Sequence, residues 1–373
     1  MSTDTLPDGW NRVKFGDVAS RVNESVTPTP AQSRLYIGLE HMRTDSYTIT
    51  EWGSEVDLDV AKTPVLRGDV LFARRNTHLR RCAVAPFDTI FSPDGYAIRT
   101  KDPTALLQAF LLYVVASDGF MGFAVENSAG THSKRVKWSA LEQYEFALPP
   151  VDEQRRIASL LGDSDSLIVA AVEAESVARA SLVDLAIRLT TTETAPRRPL
   201  GEVVEILNTQ RVPVNDAERS KRKGDVPYYG ANGQVGTIDA ALFNEPLVLL
   251  AEDGGRFSEW RSSSVAYRID GPSWVNNHAH VLRATGIPLG WLYFSLRNMD
   301  LTKLIVGTTR TKLNRGALDR ITLTIPEDLE SRLRVLEGTE RLVDAASKYV
   351  ATCRSLAVRL REVLLREGNG ADV

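Results

Sequence analysis

The amino-acid sequence predicts an α+β protein built twice over: two similar mixed, strand-rich domains, each followed by a long helix, with the two helices pairing as an antiparallel coiled coil. Three observations predict it. The first is repetition at a constant offset. Gly130-Thr131 and Gly307-Thr308, Ala140-Leu141 and Ala317-Leu318, and Leu148-Pro149 and Ile325-Pro326 all stand 177 residues apart, without a gap from 130 to 149. Such recurrence reads as a duplicated architecture. The second is a matching series of short apolar runs between turn residues in each half, as strands give. The third is a seam near the C-terminus. Leu336, Val343, Val350, Ala357 and Leu364 fall seven apart, and Ala346, Cys353 and Leu360 fill the other seam position. That is the spacing of a coiled coil.

The elements follow in order. Val13-Lys-Phe-Gly-Asp-Val and Arg198-Pro-Leu-Gly-Glu-Val are matching entrances, each with Gly-acid-Val after an apolar residue. In the first half, strands are expected at Arg34-Leu-Tyr-Ile-Gly-Leu, Gly68-Asp-Val-Leu-Phe-Ala and Tyr96-Ala-Ile-Arg. Their counterparts are Val226-Pro-Tyr-Tyr-Gly, Pro246-Leu-Val-Leu-Leu-Ala and Ala279-His-Val-Leu-Arg. A helix is expected over 104–117, where Leu106, Leu107, Phe110, Leu111 and Val114 keep helical spacing, and another over 289–297 around Trp291, Leu292 and Phe294. Strands and helices do not alternate, which argues against a Rossmann-type sheet.

The first long helix opens at Leu148-Pro-Pro-Val-Asp-Glu-Gln-Arg-Arg-Ile-Ala-Ser-Leu-Leu, since proline suits a first turn. Ile157, Leu161, Ile168, Leu182, Leu185 and Leu189 form its stripe, which Glu175 interrupts, and Thr190-Thr-Thr-Glu-Thr-Ala-Pro closes it. The second follows Ile325-Pro-Glu-Asp-Leu-Glu-Ser-Arg-Leu and stops at Gly368-Asn-Gly, a helix-ending pattern. A helix of about 40 residues spans about 60 Å. That is too long for its own half to cover, whereas two can bury their stripes on each other. The expected divisions are 1–148, 149–195, 196–325 and 326–373.

A chain of 373 residues holds two ordinary domains. The start has neither a basic region nor an apolar core, so no signal peptide is expected, and no run is long enough for a membrane span. Cys82 and Cys353 are the only cysteines, which points to a reducing cytoplasm and away from disulfide or zinc frameworks. A net charge of −3 does not suit a non-specific nucleic-acid binder. The distribution is more telling. Acid gathers in the first long helix, at Asp152, Glu153, Asp163, Asp165, Glu173, Glu175 and Asp184. Base gathers in short loops: Arg74, Arg75, Arg80, Arg81; Lys134, Arg135, Lys137; Arg219, Lys221, Arg222, Lys223; Arg310, Lys312, Arg315. Any one of these runs, taken alone, is equally consistent with a solvated surface.

The chain shows no P-loop, no dinucleotide-binding glycine motif, no adenine-methyltransferase tetrad and no nucleophile elbow. Asn276-Asn-His-Ala-His places His278 and His280 on one face of a strand, and Glu252-Asp253 could hold a divalent ion. These four residues carry a rival reading as a metal-dependent nuclease, although a third ligand at sensible spacing is missing. Cys82 is either an activated thiol or, with more precedent, a small buried hydrophobe. What the loops do offer is hydrogen-bonding groups. Gly230-Ala-Asn-Gly-Gln follows Tyr228 and Tyr229 and carries Asn232 and Gln234; Asn and Gln read adenine, Arg reads guanine. Thr308, Thr309, Arg310, Thr311 and Lys312 form a hydroxyl-rich basic loop suited to phosphates. Its counterpart in the first half is Thr131, His132, Ser133, Lys134 and Arg135. Folding alone seldom needs such a loop twice.

These stretches together resemble the DNA-specificity subunit of type I restriction-modification systems. The resemblance rests on the Leu148-Pro-Pro helix start, on Val226-Pro-Tyr-Tyr-Gly-Ala-Asn-Gly-Gln-Val-Gly, Val248-Leu-Leu-Ala-Glu-Asp-Gly-Gly and Trp274-Val-Asn-Asn-His-Ala-His-Val-Leu, and on Tyr36-Ile-Gly-Leu-Glu-His and Gly68-Asp-Val-Leu-Phe-Ala-Arg-Arg. It covers nearly the whole chain. It implies two target-recognition domains reading the halves of a bipartite duplex DNA site, and a helix pair that sets the spacer. It implies a non-catalytic cytoplasmic chain, with S-adenosylmethionine on methyltransferase subunits, two of them, and ATP and Mg on restriction subunits. DNA contacts are expected from Arg74, Arg75, Asn76, His78, Arg80, Thr131, His132, Ser133, Lys134 and Arg135 in one half. In the other they are expected from Tyr228, Tyr229, Asn232, Gln234, Asn276, Asn277, His278, Thr308, Thr309, Arg310, Thr311 and Lys312. Methyltransferase docking is expected at Asp152, Glu153, Gln154 and Arg155. The sequence departs from the pattern at Ser92-Pro-Asp-Gly-Tyr and at Ile325-Pro-Glu-Asp. A protein-only scaffold is the remaining alternative.

Overall fold

The structure is a computed structural model and describes residues 6–28, 35–44, 46–53, 60–131, 133–307 and 311–366. The chain forms two compact units, one of Met1–Ala170 with Val350–Val373, the other of Ala171–Tyr349.

The first unit contains strands β1 (Asn11–Lys14), β2 (Ala19–Arg21), β3 (Thr63–Val65), β4 (Val70–Ala73), β5 (Cys82–Val84), β6 (Thr89–Phe91), β7 (Gly95–Thr100), β8 (Ser128–Ala129), β9 (Arg135–Val136) and β10 (Glu145–Leu148). Its named helices are α1 (Gln108–Ala116), α2 (Asp118–Glu126) and the start of α3 (Val151–Thr190). The central sheet is antiparallel, in the order β2-β7-β4-β5. Val70 and Phe72 of β4 face a core that holds Phe110, Phe120 and Ile157, while Leu71 and Ala73 face a second core with Ile37 and Phe91. A strand buried on both faces needs apolar residues at every position, so β4 reads as an unbroken apolar run.

The second unit contains β11 (Arg197–Pro199), β12 (Val204–Ile206), β13 (Val226–Gly230), β14 (Gly233–Ile238), β15 (Phe243–Asn244), β16 (Leu247–Ala251), β17 (Ala266–Ile269), β18 (Pro272–Val275), β19 (Ala279–Ala284) and β20 (Thr322–Thr324), with α4 (Leu289–Arg297) and the start of α5 (Leu329–Arg366). Its central sheet, β12-β19-β16-β17, has the same order and antiparallel sense. The registers match residue by residue. Val70 pairs with Ile98 and Ala73 with Gly95; Val248 pairs with Leu282 and Ala251 with Ala279. A two-stranded ladder closes each unit, β1 with β10 and β11 with β20. The units differ in the second layer, where β14-β13-β18-β15 has four strands against the pair β3-β6.

Within the second unit the two long helices run antiparallel. Ser347 Oγ donates to Glu175 Oε1 at 2.6 Å, and the Arg332 guanidinium donates to the Leu189 carbonyl at 3.1 Å. Rising positions in α3 thus meet falling positions in α5. The seam residues Leu336, Val343, Val350, Ala357 and Leu364 are all buried. Leu364 joins the core of the first unit beside Ile157 and Leu161. Glu175 is no break in the packing. It lies in the seam and is held by Ser347 and Arg179.

Two expectations shift. Of the run expected as a strand at 34–39, the described residues 35–39 make none; Ile37 forms an isolated parallel bridge to Phe91. The helix expected over 104–117 begins at Gln108, because Asp102 Oδ1 accepts from the Thr104 N–H at 2.8 Å and holds a turn there. Helix α2 follows after Ser117, whose hydroxyl caps the Phe120 N–H. The stop at Gly368-Asn-Gly lies outside the described residues.

Candidate nucleic-acid interface

The offset of 177 marks one device present in both units. In the first, Ala129 pairs with Arg135, and Arg135 also bridges to Arg75, just past β4. In the second, Val306 pairs with Lys312, and Lys312 bridges to Asp253, just past β16. Gly130 and Gly307 open the two tips at φ values of 125° and 91°. That left-handed backbone is why glycine stands there twice. Each hairpin is pinned one residue further on. The Val136 N–H donates to the Arg74 carbonyl, and the Leu313 N–H to the Glu252 carbonyl.

In the first unit the hairpin closes on Asp94. Its carboxylate accepts from Arg75 at 2.9 Å and from Arg135 Nε at 3.1 Å. Burial disfavours its charge, yet these two arginines hold the carboxyl below the usual aspartate range. Arg75 Nε also donates to Ser133 Oγ at 2.6 Å. The Asn76 N–H donates to the Lys134 carbonyl. Asn76 and Arg80 both adopt left-handed backbone, and a one-turn 3₁₀ helix between them leaves His78 exposed. Arg80 pairs with Asp118. Arg74 lies 5.3 Å from the centre of the Tyr96 ring. Thr131 and Lys134 are exposed at the tip. His132, Thr308, Thr309 and Arg310 lie outside the described residues.

The second unit builds the same place from different residues. The turn before β19 replaces the turn before β7. The Asn276 Oδ1 accepts from the His278 N–H as Ser92 Oγ accepts from the Asp94 N–H. His278 therefore stands where Asp94 does, and its Nδ1 meets Asp253 at 2.6 Å. Asn277 is exposed, while Asn276 is buried. Lys312 reaches Glu252 at 3.0 Å, and Arg211 reaches the same carboxylate at 2.7 Å. Burial opposes ionisation of Glu252, but these cations hold its carboxyl below the ordinary range. Thr311 and Lys312 are half-buried. The β13–β14 turn exposes Asn232 and Gln234; Asn232 Nδ2 donates to the Gly254 carbonyl at 3.0 Å. Tyr229 is half-buried against Tyr267.

Two expected contact residues, Tyr228 and Gln154, turn out otherwise, His280 of the rival nuclease reading is buried, and Cys82 is the small buried hydrophobe the sequence favours. Tyr228 is 2% exposed and its hydroxyl donates to the Val214 carbonyl, which makes it a core residue. Gln154 is fully buried. It accepts from the Leu107 N–H and donates to the Ala105 and Pro149 carbonyls, clasping the helix start to the turn before α1. His280 is fully buried too. Its Nε2 lies 2.7 Å from the Leu313 carbonyl, so Nε2 carries the proton and Nδ1 accepts from Asn208 Nδ2 at 2.8 Å. Burial lowers its pKa and keeps it neutral. Cys82 is buried, and its thiol is pushed up to about 12. Around Asp152, Glu153 and Arg155 the helix surface is laced by pairs, Asp152 with Arg155 and Glu153 with Arg156.

A sequence offset could not reveal Asp94, Asn208 or Arg211 as members of this place. The offset is 178 at β4 and β16, 184 at β7 and β19, and 177 at the hairpins. The second unit has the longer passage between its central strands, and the first inserts α2 before its hairpin. The partners fall into register only through the ladders.

A family profile of the type I restriction modification DNA specificity domain matches residues 194–335. Over 130 residues the chain is 35% identical to a type I restriction enzyme specificity subunit of Haemophilus influenzae, covering 35% of this chain and 32% of that one. Residues 194–335 thus resemble the DNA specificity domain of type I restriction-modification systems. A second specificity subunit, of the EcoDI enzyme from Escherichia coli, is 22% identical over 44% of this chain and 37% of its own. The matched stretches thus span under half the length of these curated relatives. The fold is shared more widely. A chain in a structure of type I restriction-modification complex assembly covers 99% of this chain and 100% of its own, with TM-score 0.63 and 17% identity. The specificity subunit of M. genitalium covers 100% of this chain and 98% of its own, with TM-score 0.60 and 13% identity. At these identities the likeness is one of fold, and in this chain that fold combines strand-rich units with two long helices.

Proposed function

We propose that this chain is a non-catalytic DNA-reading subunit: each unit contacts one half of a bipartite duplex site, and the helix pair carries methyltransferase and restriction subunits to it. The observation that carries the reading is the paired hairpin. Both units present a glycine-opened, basic or hydroxylic loop pinned to the end of the same central strand, with polar turn residues beside it. Specificity domains of the matching family supply the DNA chemistry of the proposal. Direct contacts are assigned to Arg75, Asn76, His78, Thr131, Ser133, Lys134 and Arg135 in the first unit, and to Tyr229, Asn232, Gln234, Asn277, His278, Thr311 and Lys312 in the second. Asp152, Glu153 and Arg155 remain candidates for methyltransferase docking, with two such subunits per chain. On this reading S-adenosylmethionine, ATP and Mg are handled by the partner subunits, in the cytoplasm.

The nuclease alternative finds little support in the chemistry. Glu252 is already bound by Arg211 and Lys312, Asp253 by His278, and His280 is spent on Leu313 and Asn208. Selection from a random duplex pool, with the methyltransferase partner present, should enrich one split motif. A pool that emerges without sequence preference would end the proposal. Lys134→Ala should weaken binding to all sequences alike and lower the salt slope by about one phosphate contact.

A further inference from the structure

The first unit has a cationic groove whose positive charges are not repeated at the equivalent positions of the second. In the first unit, Arg21, Arg74, Lys101 and Lys137 line a 540 Å³ groove around Tyr96, with Glu142 as its single carboxylate. Glu142 Oε1 already accepts from Trp138 Nε1 at 2.7 Å. Arg21 and Arg74 sit 5.6 and 5.3 Å from the centre of the Tyr96 ring. The Arg74 Nε is buried there without a hydrogen-bond partner. A buried guanidinium N–H left unmatched is costly, and an anion is its natural acceptor.

The ladders identify the equivalents in the second unit. Arg21 pairs with Ile98 as Ile206 pairs with Leu282. The Arg74 and Glu252 carbonyls accept the same hairpin N–H, and Lys101 and Thr285 donate to Val18 and Val203 in the same way. Lys137 and Glu142 correspond to Asn314 and Asp319 at the hairpin offset. All four cations of the first unit are thus replaced, one by apolar Ile206, two by neutral Thr285 and Asn314, one by the carboxylate Glu252.

We propose that this groove of the first unit clamps the DNA sugar–phosphate backbone beside the hairpin that ends at Arg135, and that the second unit has no such clamp. The idea rests on the DNA-reading proposal and adds an asymmetry to it. Lys137 follows the hairpin strand directly and Arg74 precedes Arg75, so the groove continues the surface assigned to reading. A cationic trough with one occupied carboxylate suits a run of phosphates, which position a protein without carrying sequence. The first half-site is then held mainly through charge.

The test uses the full chain with its methyltransferase partner and two duplexes, one carrying the selected site and one scrambled. Lys137→Gln, on an exposed side chain, and the triple variant Arg21→Gln, Lys101→Gln, Lys137→Gln are compared with the unaltered protein over a salt series. The expected result is a plot of log K against log salt whose slope falls by about 0.9 per lost contact, on both duplexes, with the selected motif unchanged. Thr285→Lys with Asn314→Lys in the second unit should steepen it. An unchanged slope for the single and triple variants would overturn the clamp. If the unaltered protein does not prefer the selected duplex, the reading proposal itself has failed, whatever the slope. Loss of base preference at a single position would make these residues readers and also overturn the clamp.

Discussion

Tyr96 and His280 occupy one position and do one job with different chemistry. The Tyr96 hydroxyl donates to the Val136 carbonyl, and His280 Nε2 donates to the Leu313 carbonyl. A residue whose partner copy is a tyrosine in the same role is there to tie the hairpin to the sheet. His280→Phe should therefore cost about 1–3 kcal/mol, since it strands the Leu313 carbonyl and the Asn208 amide, and added divalent metal should leave the melting temperature of either protein unmoved. A metal-dependent rise lost in the variant would revive the ligand role. Asp94 gives a pH signature at the same scale. Its folded pKa is depressed by Arg75 and Arg135 despite burial. The unfolded chain then binds its proton first, so the stabilisation holds above the ordinary aspartate value and is lost as pH falls through the folded one. The stability difference between the unaltered protein and Asp94→Asn should shrink over that acid range, read by denaturant melts at each pH. A difference that grows toward acid would contradict this.

At the scale of elements, the helix pair is where periodicity governs energy. Leu336 is fully buried in the seam, whereas Leu342, six residues on, is 68% exposed. Leu336→Ala should cost about 2–5 kcal/mol and Leu342→Ala under about 0.5 kcal/mol; equal losses in urea titration would mean that the seam is misassigned. The helix start is held differently. Gln154 satisfies three backbone groups from within the core. The equivalent at the offset of 177 is Ser331, too short for such a clasp. The second unit instead ties its ladder to α4 through Trp291 Nε1 and the Thr324 carbonyl. The Glu-Gln pair of the first helix start is thus half surface and half core, which its sequence pattern alone does not separate.

For the whole molecule, the units differ in chain connectivity. The second is a single continuous segment, Ala171–Tyr349, while the first needs Val350–Val373 to complete it. Leu360, Leu364 and Leu365 pack on the core of the first unit. A fragment of residues 171–349 should fold by itself with one cooperative melt. A fragment of residues 1–170 should bind a hydrophobic dye until a peptide of residues 350–373 is added. Independent folding of residues 1–170 without dye binding would show that the terminal helix is dispensable there.

The sequence by itself determined the duplication, the α+β class, the long helices, their buried seam and the hairpin pair. Each of these is written in local spacing: a period of seven, apolar runs between turns, a glycine that must turn left-handed. Even the central strands at Gly68-Asp-Val-Leu-Phe-Ala and Pro246-Leu-Val-Leu-Leu-Ala were legible, because burial on both faces demands unbroken apolarity. Tertiary structure alone decided which polar residues meet. Asp94 with Arg75 and Arg135, Glu252 with Arg211 and Lys312, and the Arg21–Arg74–Lys101–Lys137 groove are joined across ladders whose offsets differ between the units. Polar identity along the chain is the same for a residue that clasps a backbone, such as Gln154, and for one that faces solvent, such as Gln234. Only burial and the position of the complementary group distinguish them.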